Sequence, residues 1–91
     1  MMNKNFELVI EGRVQGVGMR YFAYTRAIKY NISGFVKNTP DGNVEIVCSG
    51  ESVEMDKFIA EIKKGPSFSF ISDVRINETP QNDFKNFEIR Y

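Results

Sequence analysis

Alternating hydrophobic and polar residues predict β-strands at several places along the chain. Residues 6–11 read FELVIE, the period-2 pattern of a strand that Gly12 is predicted to end. Two more strands are predicted over Ile32 to Asn38 and Val44 to Ser49, joined by the sequence TPDGN. Its proline and aspartate suit the two central positions of a turn, and its glycine accepts the left-handed position that follows. A β-hairpin is therefore expected here.

Apolar residues one helical turn apart predict two helices. The first spans Tyr21 to Asn31, and Asn31 suits the left-handed position that follows a helix. The second runs from about Ser52 to Lys64, and Gly65 with the proline after it is predicted to end it. Its apolar stripe consists of Met55, Phe58, Ile59 and Ile62.

Two further strands, around Phe70 to Glu78 and Phe84 to Tyr91, complete the order β-α-β-β-α-β with an extra strand-like stretch. This order predicts an α+β, ferredoxin-like fold: an antiparallel sheet with two helices packed on one face, plus a short extra C-terminal strand. A chain of 91 residues is expected to form a single domain, residues 1–91. The fold alone does not decide the function, because it hosts many.

The overall charge and hydropathy exclude some classes of partner. Twelve basic and twelve acidic residues leave no net charge, whereas nucleic-acid binding usually requires a basic excess or a basic face. No stretch approaches the roughly 20 apolar residues of a membrane helix, and the N-terminus lacks the apolar run of a signal peptide. We expect a cytoplasmic monomer that binds neither nucleic acid nor membrane.

The reactive residue types narrow the chemistry further. The chain contains no histidine, the commonest general base and transition-metal ligand. Its single cysteine, Cys48, shares one face of a predicted strand with apolar neighbours, so we expect a buried, unreactive thiol. The carboxylates show no spacing typical of a metal site. No metal and no cofactor are therefore expected.

The candidate chemistry lies in the segment from Gly12 to Arg20, GRVQGVGMR, between the first strand and the first helix. Three glycines within this segment free the backbone to turn successive N–H groups inward and form an anion cradle at the start of the helix. The guanidinium of Arg20 could then bind two phosphate oxygens. From composition alone, a tight turn followed by a solvated Arg20 explains the segment equally well.

Three familiar phosphate-binding loops do not match this segment. A Walker loop ends in Gly-Lys-Ser/Thr, which does not occur in the chain. The dinucleotide pattern GxGxxG fails because Tyr21 stands where its last glycine would be. A cysteine phosphatase loop requires Cys six residues before the arginine, and Val14 occupies that position.

Two segments resemble the signatures of the acylphosphatase family: GRVQGVGMR at 12–20 and GFVKNTPDGNVE at 34–45. The length and element order are also similar. The resemblance implies hydrolysis of a carboxyl-phosphate anhydride to a carboxylate and inorganic phosphate without a metal. Inorganic phosphate would then be both product and inhibitor, and the substrate would be a small acyl phosphate whose acyl group the sequence does not identify.

The resemblance also implies roles for individual residues. Arg20 would bind the phosphoryl group, and Asn38 would hold the attacking water. Gly12 and Thr39 would support the site. The phosphate would be bound in a cradle formed by the backbone of Gln15, Gly16, Val17, Gly18, Met19 and Arg20. Taken without the first signature, Asn38 is better explained as a residue that caps the turn after its strand.

The sequence departs from the family pattern at two positions, and two other functions remain open. Met19 stands where an aromatic residue is common in the family, and Phe35 stands where tryptophan is common.

One alternative is a non-catalytic module that binds a phosphorylated or carbamoylated group within a larger enzyme, although a chain ending at Tyr91 favours an independent enzyme. The other is an RNA-binding domain, for which residues 44–49 lack the required aromatic and basic side chains.

Overall fold

The computed structural model describes residues 2–91 and contains the predicted elements in the predicted order. The strands are β1 (Asn3–Arg13), β2 (Ser33–Asn38), β3 (Val44–Glu51), β4 (Phe70–Glu78) and β5 (Phe87–Arg90). The helices are α1 (Met19–Lys29) and α2 (Ser52–Lys64). No helix within residues 2–91 is long and apolar enough to cross a membrane.

The five strands form one sheet in the order β4-β1-β3-β2-β5. β4, β1, β3 and β2 pair with one another in the antiparallel direction, as the ferredoxin-like prediction requires. β5, the extra C-terminal strand, pairs in parallel with β2, so the sheet is mixed rather than wholly antiparallel. This direction follows from the crossover, because residues 79–86 carry the chain from β4 at one edge to β5 at the other.

Both helices lie on one face of the sheet and enclose the core with it. On that face of β1, Leu8 and Ile10 are fully buried. α1 contributes its small residues Ala23 and Ala27, which let it approach the sheet closely. The predicted apolar stripe of α2 faces the core: Met55, Phe58 and Ile62 are buried, and Ile59 is partly buried against them.

The prediction that Gly12 ends the first strand was wrong. β1 continues through Gly12 to Arg13, and its pairing with β4 shifts register between Glu11 and Gly12. At this bulge Gly12 has φ 129°. A Cβ atom on Gly12 would lie 2.1 Å from the carbonyl oxygen of Phe70, so only glycine permits this approach of the two strands.

Three other boundaries or conformations can be compared with their predictions. α1 begins at Met19 rather than Tyr21 and ends at Lys29. Asn31, with φ 57°, has the left-handed conformation predicted for it. The last strand begins at Phe87 rather than Phe84. Phe84, which precedes it, packs edge-on against the ring of Phe35, with the ring centroids 5.7 Å apart.

Candidate active site

The topology brings two segments of the signatures and the C-terminus to one end of the sheet. β1 and β2 both run antiparallel to β3, and β5 runs parallel to β2, so β1, β2 and β5 share one direction. Their C-terminal ends therefore meet. The loop at 14–18, the β2–β3 turn and the last residues of the chain all lie at this end.

The loop at 14–18, called here the glycine loop, is anchored by its apolar side chains. Val14 at its start and Met19 just after it are each 1% exposed. Gly16 and Gly18 lie at the surface with φ 74° and 84°. Left-handed residues alternating with others turn successive backbone N–H groups to the same side, which is the geometry of an anion-binding nest.

The N-terminus of α1 continues this electropositive surface. Its N-cap is Gly18, and no side chain within the described residues makes a capping hydrogen bond there. Its first turn contains no acidic residue, whereas the first turn of α2 contains Glu54. A carboxylate in the first turn would compete with a bound anion, so the positive end of the α1 dipole is available to an external one.

Arg20 lies in the first turn of α1 rather than in the loop. Its Nη1 donates a hydrogen bond to the carbonyl oxygen of Arg90 over 3.3 Å, and its guanidinium lies 4.6 Å from the ring centroid of Tyr91. Arg90 is paired with Lys37, the residue that precedes Asn38. The guanidinium is thus held at the end of β5, beside the end of β2.

Asn38 is the last residue of β2 and is paired with Val44. It lies on the same face of the strand as Val36, which is the face covered by the helices. Its side-chain Oδ1 is buried and has no hydrogen-bond partner within residues 2–91. A buried carbonyl oxygen without a donor costs about 1–3 kcal/mol, so this atom is suited to receive a hydrogen bond from a bound molecule.

The β2–β3 turn that follows Asn38 is closed by hydrogen bonds of its own. Thr39 N donates to Asn43 O over 2.9 Å, and Gly42 N donates to Thr39 O over 3.1 Å. The Thr39 hydroxyl donates to the Asp41 carboxylate, and this bond is the main reason that the pKa of Asp41 is lowered. The Thr39 side chain therefore hydrogen-bonds Asp41 and helps to order the turn that follows Asn38.

The Gln15 side chain joins the glycine loop to this turn. Its Nε2 donates to Thr39 O over 2.8 Å and to Asn43 O over 2.7 Å. Sequence reasoning gave Gln15 only a backbone role and missed these contacts. It also missed the contacts of Arg20 with the last two residues. Both sets join segments far apart in the sequence through backbone carbonyls or ring faces, for which the sequence carries no signal.

The remaining reactive groups lie apart from this arrangement. Within residues 2–91, no three His, Cys, Asp or Glu side chains are grouped so that they could hold a metal ion. Cys48 is buried, and burial raises the pKa of its thiol to about 12, as expected of an unreactive cysteine. Glu11 forms an ion pair of 2.8 Å with Arg75.

Together these features define a ferredoxin-like protein with a cationic, donor-rich end suited to a tetrahedral oxyanion. The sequence profile of the Acylphosphatase family matches residues 6–89. The chain therefore belongs to the acylphosphatase family.

Individual relatives agree with that assignment. An acylphosphatase of Bacillus licheniformis is 41% identical over 87 residues, covering 94% of this chain and 97% of the relative. The crystal structure of acylphosphatase from Bacillus subtilis superposes with a TM-score of 0.93 at 36% identity, covering 99% of this chain and all of that one (100%). A structure of full-length HypF in a phosphate- and nucleotide-bound form matches with a TM-score of 0.89 at 33% identity, but this chain covers only 12% of it.

These matches confirm the family that the two signatures resemble and the fold predicted from the order of the elements. They also confirm the enzyme class, an acylphosphate phosphohydrolase, and imply a small-molecule acyl phosphate as substrate.

Proposed function

We propose that the chain hydrolyses the carboxyl-phosphate bond of small acyl phosphates by direct attack of a water molecule that Asn38 positions. The observation that carries this mechanism is the buried, unpartnered Oδ1 of Asn38 at the same end of the sheet as the glycine loop and Arg20. An acceptor, an anion cradle and a fixed guanidinium are the three groups that such an attack requires.

The phosphoryl group is bound by backbone N–H groups from Gln15 to Arg20 and by the Arg20 guanidinium. The left-handed Gly16 and Gly18 support the cradle, and the uncapped N-terminus of α1 adds its positive dipole. In phosphoryl transfer, positioning and charge stabilisation provide most of the catalysis, because charge is spread over the equatorial oxygens in the transition state. Gly12 and Thr39 support this cradle through the β1–β4 contact and the β2–β3 turn.

Water donates one hydrogen bond to Asn38 Oδ1 and directs its own oxygen at phosphorus. The amide cannot accept a proton at neutral pH, so Asn38 orients the water but does not act as a base. As the water oxygen forms its bond to phosphorus, the bond to the acyl oxygen breaks and the carboxylate leaves with the electron pair. The water proton passes to a phosphate oxygen, which yields inorganic phosphate.

The proposal extends to partners and assembly. Inorganic phosphate carries the same oxygens as the transferred group, so it inhibits by occupying the cradle. Residues 1–91 act as one domain and as a monomer in the cytoplasm, without nucleic acid and without a metal or other cofactor. An RNA-binding function is disfavoured because Phe35, the aromatic on the open sheet face, is only 9% exposed beneath Arg90 and Phe84.

Turnover of benzoyl phosphate by wild type and Asn38→Ala tests the mechanism directly. We expect the variant to lose on the order of 100-fold in kcat, the scale of a lost positioning group, while the inhibition constant of phosphate changes less than about threefold. Asn77→Ala, an exposed asparagine on β4, is the matched control and keeps full activity. Normal turnover by Asn38→Ala would show that this residue does not hold the water.

The assay is repeated with a chelator, which leaves the rate unchanged if no metal takes part.

The similarity to part of HypF supports a second candidate, a domain that binds its phosphorylated ligand without hydrolysing it. Wild-type protein that binds phosphate but leaves acetyl and benzoyl phosphate intact would select this second candidate.

A further inference from the structure

We infer that Gln15 is a positioning residue. Its side chain attaches the β2–β3 turn to the glycine loop and so fixes the position of Asn38 relative to the phosphate cradle. The inference rests on the proposed function, because it concerns how that site is assembled. It adds a side-chain role to a residue whose backbone alone was expected to contact phosphate.

The contacts of Gln15 use both protons of its amide group. Nε2 donates to Thr39 O at 2.8 Å and to Asn43 O at 2.7 Å, both short for amide hydrogen bonds. The opposite orientation of the amide would place Oε1 against two carbonyl oxygens, and neither of these can donate a hydrogen bond. The chemistry of the acceptors therefore fixes which end of the amide faces the turn.

Both acceptor carbonyls are also part of the turn's own hydrogen bonding. Thr39 O already accepts Gly42 N at 3.1 Å, and Asn43 O already accepts Thr39 N at 2.9 Å. Gln15 thus occupies the second lone pair of each carbonyl. The four hydrogen bonds form one network that closes the turn and attaches it to the loop.

This network holds the chain at two points next to the Asn38–Val44 pair, beside the residue proposed to hold the water. Thr39 directly follows Asn38, the last residue of β2, and Asn43 precedes Val44, the β3 residue paired with Asn38. Because Gln15 belongs to the segment that forms the cradle, one side chain sets the distance between cradle and water-holding amide. A displacement of about 1 Å at a reacting centre can cost on the order of 100-fold in rate, so such a contact affects turnover strongly.

Gln15→Met tests the inference, since methionine keeps the length of the side chain but cannot donate. We expect kcat for benzoyl phosphate to fall at least about tenfold, while the inhibition constant of phosphate stays within about threefold, because backbone groups and Arg20 still bind it. Gln81→Met, the same change at an exposed position in the crossover, is the matched control with unchanged kinetics.

A double-mutant cycle separates positioning from simple stabilisation. If Gln15 acts through Asn38, Gln15→Met has little further effect on kcat in an Asn38→Ala background. Equal effects in both backgrounds, or unchanged kcat in folded Gln15→Met protein, would overturn the inference while leaving the proposed function intact. An inactive wild type, or full activity of Asn38→Ala, would instead overturn the proposed function.

Gln15→Glu provides a second test should the methionine variant not fold. Its carboxylate offers no donor and repels both carbonyl oxygens, whereas the protonated acid regains one donor. We expect the ratio of its kcat to that of wild type to rise as the pH falls through the pKa of the introduced carboxyl. A ratio independent of pH would contradict this positioning role of the Gln15 side chain.

Discussion

Arg20 illustrates how the surroundings of a single residue fix its position. It reaches the site from the first turn of α1, where its guanidinium is bound by the Arg90 carbonyl and lies over the ring of Tyr91. Its fork-shaped donor set is therefore held in place without a ligand, which would lower the entropic cost of the phosphate contact proposed for it.

Arg20→Lys separates charge from this fixed geometry. Lysine keeps the positive charge but loses the planar fork and its stacking on the ring. We expect phosphate inhibition to weaken by about tenfold and kcat to fall on the order of 100-fold, as for removal of a charge-stabilising donor. Kinetics with benzoyl phosphate measure both quantities. Arg13→Lys, an exposed arginine in β1, is the control, and Arg20→Lys kinetics within twofold of wild type would contradict the expected role.

At the scale of elements, the open face of the sheet carries an acidic pair that opposes folding. Glu7 on β1 and Glu45 on β3 lie diagonally across the two strands, since Glu7 pairs with Val47 and Val9 pairs with Glu45. The pKa of Glu45 is raised, chiefly by its hydrogen bond with Glu7 and also by burial, although Lys37 at 3.6 Å partly offsets this. Folding therefore favours the protonated form of Glu45.

The Glu7→Gln variant should consequently be more stable than wild type near neutral pH. A raised folded-state pKa means that stability is highest below the unfolded-state value and falls as the pH rises through the folded-state value. Removing the repulsion should add about 0.2–1 kcal/mol at pH 7 and almost nothing at pH 3. Urea unfolding at the two pH values measures the difference.

Glu88→Gln is the matched control for this experiment. It removes the same charge from the same face, but Glu88 faces Arg90 at 3.5 Å, so the variant should gain no stability at neutral pH. Equal gains for both variants would indicate a general charge effect rather than the Glu7–Glu45 pair.

At the scale of the whole molecule, Cys48 reports on global unfolding. It lies in the core with no exposed surface, and burial raises the pKa of its thiol to about 12. Since only the thiolate reacts, alkylation by iodoacetamide at pH 8 should require unfolding of the domain. Phosphate at 100 times its dissociation constant should slow labelling about 100-fold through its stabilisation of the folded state.

The same labelling in Arg20→Ala should be far less sensitive to phosphate, because the variant lacks the guanidinium that we propose as the main cationic ligand of phosphate. Urea-unfolded protein, whose thiol titrates normally, gives the reference rate. Rapid labelling of the folded protein, unaffected by phosphate, would show that Cys48 is reached by a local opening instead.

The sequence by itself determined the element order, the two helices and the apolar stripe of α2. It did so because hydrophobic period and turn chemistry are local properties: the FELVIE alternation, the stripe from Met55 to Ile62 and the TPDGN turn each need only their own neighbours. The two signatures likewise determined the family. The roles of Asn38 and Arg20, implied by that resemblance, remain predictions.

Only the tertiary structure decided how these parts meet. The bulge that carries β1 past Gly12 depends on the backbone of β4, and the direction of β5 depends on a crossover between opposite sheet edges. The Gln15 contacts join a loop to a turn 24 and 28 residues away. They end on backbone carbonyls, which every residue possesses, so no sequence pattern could have identified them.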